Sequence, residues 1–149
     1  MIPRRRPLSL VTQMANLRVR HRSLTVRLRG DRLDAEGWIR GNGITRRYHV
    51  RIEYRLGYHP RATVIEPALE RLHPDQPVAH TNGPNEPCLY TKAHPDWVTA
   101  MYLGDSVVPW LMEWLVSYEL WRATGRWFGG GTLPAGYDEL PRRRDERAE

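Results

Sequence analysis

The chain has one cysteine, Cys88, one lysine, Lys92, and one phenylalanine among its 149 residues. A lone cysteine excludes an intramolecular disulfide. It leaves three roles open, a buried small residue, a metal ligand or a nucleophile, and makes a reducing cytosol the expected compartment. With so little lysine, the net charge of +6 comes from arginine, which grips carboxylates and phosphates in a planar, two-pronged way. These arginines are spread over the whole chain and are not interleaved with stacking aromatics, so a codon bias toward arginine accounts for them and nucleic acid is not the expected partner. Long apolar runs are missing too. The most apolar window, Val107 to Val116, spans ten residues and contains Glu113, well short of the ~20 needed to cross a bilayer, so no membrane partner is expected. The opening Arg4-Arg5-Arg6 is followed by a broken apolar run with no small-residue cleavage site and does not read as a signal peptide.

Against one phenylalanine stand six tryptophans and seven tyrosines, so the apolar area lies in large rings with polar tips, suited to a core that approaches a site. The length fits a single domain, residues 1–149, since a chain of this size buries about 68–70% of its unfolded surface. Residues 1–7 and 141–149, rich in mixed charge, read as disordered tails.

From Leu8 to about Arg22, the positions Leu10, Val11, Met14, Leu17 and His21 recur at helical spacing, with Ser9 or Thr12 as a cap. Leu24 to Arg29, Arg32 to Ile39, Arg47 to Leu56 and Ala62 to Ile65 alternate with period two and are separated by Gly-containing turns, which predicts a four-stranded antiparallel meander. Tyr48, Val50, Ile52 and Tyr54 fall on one face of the third strand, and His49, Arg51, Glu53 and Arg55 on the other. Five prolines between Pro67 and Pro87 predict an irregular surface passage leading to Cys88. Beyond it, Asp96 is placed to cap a short helix from Trp97 to Leu103, and Asp105 or Ser106 a longer one from about Val107 to Thr124, with Pro109 tolerated in its first turn. Val107, Trp110, Leu111, Trp114, Tyr118 and Trp121 give that helix a stripe expected to cover the sheet's other side or its end.

The stretch that gathers candidate chemistry is His80-Thr81-Asn82-Gly83-Pro84-Asn85-Glu86-Pro87-Cys88. Turn formers crowd it, which predicts a rigid loop without regular structure, the kind of segment on which reactive groups are held. A metal would need three or four ligands, and the spacings of His73, His80 and His94 around Cys88 match no zinc pattern, so no metal is expected. Gly129-Gly130-Gly131 follows a helix and reads as a helix stop, not a phosphate cradle. A histidine and an asparagine lie eight and six residues before the cysteine, near enough for the chain to fold them back toward the sulfur. Asn82 is placed to donate to a developing oxyanion. A buried, inert Cys88 remains the alternative, in which the chain is a non-enzymatic binding module or scaffold whose Arg-rich sheet face grips an acidic protein or nucleic acid.

The order helix, meander, irregular passage, His-x-Asn, Cys-Leu and helices resembles the ubiquitin-conjugating enzymes. It is most similar to their bacterial relatives in the antiphage operons called CBASS. The resemblance rests on Tyr48-His49-Val50-Arg51-Ile52-Glu53-Tyr54, on Cys88-Leu89-Tyr90 with His80 upstream, and on Pro109-Trp110, Glu113-Trp114-Leu115, Tyr118-Glu119, Trp121, Thr124-Gly125, Trp127 and Gly129-Gly130-Gly131, and it covers roughly Leu8 to Leu133. It implies an α+β ubiquitin-conjugating-like fold and a catalytic set of Cys88, His80 and Asn82. It further implies an acyltransferase without cofactor, in which Cys88 accepts the C-terminus of a cGAS-like, cyclic-nucleotide-producing nucleotidyltransferase and passes it to a target. Two departures stand out. Thr81 occupies the place of the proline found in eukaryotic relatives, and the gap from histidine to cysteine is shorter than theirs.

Overall fold

The computed structural model describes residues 6–89 and 97–129. Helix α1 (Leu10–Arg20) starts at Ser9, whose Oγ accepts the Thr12 amide at 3.1 Å, and ends with the His21 amide donating to Leu17 O. Strands β1 (Leu24–Arg29), β2 (Arg32–Arg40), β3 (Arg47–Arg55) and β4 (Arg61–Glu66) form an antiparallel sheet in the order β1-β2-β3-β4. The meander and the strand limits expected from alternation are reproduced to within a residue or so. Period two decides the inside face: Leu33, Ala35, Tyr48, Val50, Ile52, Tyr54, Ala62 and Val64 are all buried, because successive side chains on a strand point to opposite faces.

Helix α2 (Val107–Thr124) stops at Gly125, which adopts φ 76° and donates its amide to Trp121 O, the left-handed ending that glycine supplies without steric cost. The predicted stripe is the buried one, with Val107, Leu111, Trp114, Tyr118 and Trp121 in the core and Trp110 partly covered against it. Leu17 of α1 and the α2 stripe share one core with the inner face of the sheet. Both helices therefore lie on the same side, and α2 does not cover the opposite face as one of the two expectations had it. That outer face stays wet because its residues are charged: Glu36 pairs with His49 at 3.0 Å and with Arg51 at 3.3 Å, and Arg55 with Asp31 at 2.8 Å. At Gly41 an added Cβ would sit 2.6 Å from Met112 O, so only glycine lets the end of β2 run flush against α2. Tyr48 Oη donates to Glu119 of α2 at 2.8 Å, a second tie between sheet and helix.

Three expectations about helices and caps are corrected. Val11 is 62% exposed, whereas Gln13 is fully buried. Its amide donates to Met101 O at 2.7 Å and accepts from Leu103 N at 2.8 Å. Residues 97–102 form no helix, and only a 3-10 turn spans Leu103–Asp105. The backbone groups that a helix there would have used are satisfied by α1 instead, through Gln13, through Asn16 Oδ1 accepting the Gly104 amide, and through His21 Nε2 on Gly104 O. Ser106 holds the N-cap position of α2, but its hydroxyl donates to Tyr102 O at 2.7 Å rather than capping the helix, and Asp105 pairs with Arg20 at 3.2 Å.

Candidate active site

The passage after β4 is not wholly irregular. Thr81–Gly83 (β5) and Glu86–Pro87 (β6) form a small antiparallel hairpin, with Thr81 opposite Pro87 and Gly83 opposite Glu86. The expectation of no regular structure here fails because Asn85 adopts φ 57°, a left-handed conformation that asparagine tolerates, and so closes a tight turn. Asn85 also clips the hairpin to the sheet: its main-chain oxygen accepts the Val64 amide and its side-chain oxygen the Leu69 amide, both at 2.8 Å. Arg61 of β4 adds a two-pronged pair to Glu86 at 3.0 and 3.1 Å, an exposed contact worth at most about 1 kcal/mol.

Cys88 leaves this hairpin partly exposed, and its amide donates to His80 O at 2.8 Å. His80 thus meets the cysteine through its main chain. Its φ is 52° and it is 4% exposed. Its carbonyl also accepts the Trp114 indole N–H at 2.9 Å, and its imidazole stacks on Trp127 with centroids 4.4 Å apart. Asn82, by contrast, is exposed on β5, on the rim of a groove of about 420 Å³ walled by Leu69, Arg71, Val78 and Pro84. The three predicted site residues therefore belong to one hairpin and its flanks. His80 is the one the structure ties directly to Cys88. Thr81 is buried, and its hydroxyl donates to Val78 O at 2.8 Å.

The residues that residue-by-residue reading did not connect with the site are Trp114 and Trp127. They read as core stripe and family motif, but both hold His80. Spacing alone could not show this, because the contact joins positions 34 residues apart. Among the described residues no group of three His, Cys, Asp or Glu side chains is arranged to hold a metal ion. No helix among them is long and apolar enough to cross a membrane. Lys92, His94 and Asp96 lie outside the described residues, as do Gly130, Gly131 and most of both predicted tails.

A family model described as Type II CBASS E2 protein matches residues 13–134. The chain belongs to this family. Membership gives it an E2-like role in CBASS antiphage defence, and the match takes in α1 from Gln13 onward, α2, both sheets and Cys88. No curated protein matches the chain significantly.

Burial of the imidazole in this E2 protein pushes the His80 pKa below its ordinary 6.5, so the ring is neutral in the fold near pH 7. The unfolded chain then takes up the proton first as pH falls. The His80 contribution to stability is complete above about 6.5 and is lost as pH falls from there through the lower folded value. His80→Asn, which tolerates positive φ, is expected to flatten the dependence of the urea midpoint on pH between 7.5 and 5. An unchanged slope would assign the effect to other groups.

Proposed function

We propose that this CBASS E2 protein has a ubiquitin-conjugating-like fold and is a cysteine acyltransferase that forms a thioester at Cys88. The observation that carries the reading is the setting of the sulfur. It sits partly exposed at the exit of a braced hairpin, with its backbone fixed by the His80 carbonyl, in a chain of a family described as E2 proteins. The acyl donor is the C-terminus of the nucleotidyltransferase of a CBASS system, delivered as an activated carboxyl. The thiolate attacks that carbonyl, a C–S bond forms and the activating group leaves. A target nucleophile then attacks the thioester, the C–S bond breaks, and the thiolate is restored as the nucleophile loses its proton. Asn82, exposed on β5, is suited to turn its amide toward the oxyanion once a donor tail covers it. His80 shapes the site through its main chain, since a buried, neutral ring stacked on Trp127 is poorly placed to relay protons to solvent.

Co-expression with a CBASS nucleotidyltransferase, followed by intact-mass analysis, tests the reading. A covalent adduct on Cys88 that is released by thiol, and is missing when the donor's last residues are deleted, is expected. A non-covalent complex indifferent to Cys88→Ala would sink it and leave a scaffold.

A further inference from the structure

After α2 the chain turns back, and Trp127 packs against His80 in the segment that carries the cysteine, far from it in sequence. Trp127 lies against the His80 ring, against Trp114 at 5.4 Å and against Trp121 at 6.5 Å between centroids. Trp114 in turn stacks on Tyr118 at 5.5 Å with planes only 8° apart. At Gly129, an added Cβ would fall 2.7 Å from Ser117 Oγ and 2.7 Å from Trp127 Nε1. The segment 126–129 therefore runs flush on α2, and its glycine is what allows the tryptophan to seat. On the far side of the stack, one carbonyl, that of His80, accepts both the Trp114 indole and the Cys88 amide. His80 holds a left-handed backbone, uncommon for any residue other than glycine.

From these contacts we infer that residues 126–129 clamp the cysteine segment: Trp127, seated by Gly129, and Trp114 are positioning residues that fix Cys88 through His80. None of them reaches the sulfur in the described contacts. They remove the freedom of the main chain that carries it, and a nucleophile held in one geometry attacks far faster than a loose one. The chain segment beyond α2 thereby positions a cysteine about forty residues earlier. As far as transfer is concerned, the inference rests on the reading of Cys88 as nucleophile; the backbone coupling does not.

Amide hydrogen exchange on the full chain, compared across Trp127→Ala, Trp127→Phe and Gly129→Ala, tests the clamp, with Gly30→Ala as control. Gly30 has φ 59° and open space around it, so alanine there strains a turn remote from the hairpin. The expected result is exchange at the Cys88 amide at least tenfold faster in Trp127→Ala and Gly129→Ala, with β2 and β3 amides unchanged and substantial recovery in Trp127→Phe. In Gly30→Ala the Cys88 amide should keep its protection. Unchanged Cys88 protection in both clamp variants, or an equal loss across β2, β3 and Cys88, would overturn the inference. The transfer assay separates the two claims. Wild type that never forms an adduct, with selective loosening in the variants, refutes the enzyme reading and keeps the clamp. Adduct formation in wild type and in Trp127→Ala alike, with Cys88 still protected, does the reverse.

Discussion

Cys88→Ala is expected to lose all adduct formation and transfer while folding as the wild type does. Every covalent step of the proposed chemistry passes through the sulfur, so the residual rate should fall below detection and not merely decline. The fold has little to lose. The side chain is only partly buried, and the bond that orders this segment, Cys88 N to His80 O at 2.8 Å, belongs to the main chain and survives the substitution. Losing one half-covered sulfur should cost no more than about 1 kcal/mol, a shift of about 2–4 °C in Tm for a chain this long. Cys88→Ser is the informative companion. Its alkoxide is a poorer leaving group than a thiolate, so the ester it forms should accumulate and resist thiol treatment. If Cys88 were an inert core residue the pattern would invert: iodoacetamide would label only denatured protein, and alanine would destabilise the fold without affecting function.

The largest loss of stability is expected from Trp114→Ala. Its ring is 5% exposed, lies in the hydrophobic core, and stacks on Tyr118. Truncating a buried aromatic leaves a cavity and removes its contacts, at about 3–5 kcal/mol, and the stacked pair loses the extra attraction between rings. The substitution also takes one of two donors from the His80 carbonyl. Thermal melting should move down by roughly 10 °C or more, with Trp114→Phe falling between the two. Unchanged melting of Trp114→Ala would place the ring at a partner surface instead of in the core.

Much of this architecture was legible in the sequence because it depends on local rules. Alternation marked β1 to β4 and chose their buried face, since any other register would turn Tyr48, Val50, Ile52 and Tyr54 to water. The period of 3.6 marked α2 and its stripe, and Ser9 or Thr12 the start of α1. The motifs around Cys88 and Trp110 to Gly131 pointed to the family that the match over residues 13–134 shows. What sequence could not decide were contacts between distant segments. Residues 97–102 have a candidate cap and adequate helix formers, yet Gln13 and Asn16 of α1, and His21 just after it, supply their neighbours with other partners. Gln13 is buried for the same reason, against its polarity, because a satisfied amide can enter a core that an unsatisfied one cannot. His80 looked like a side chain reaching for sulfur. Tertiary packing made it a carbonyl held between Trp114 and Cys88, since a buried main-chain acceptor must be paired wherever donors lie. Sequence by itself determined which faces are dry and where the turns fall, for these follow from each residue's neighbours. Only the tertiary structure decided what braces the cysteine, because hydrogen bonds and ring stacks across 34 residues or more leave no period in the chain.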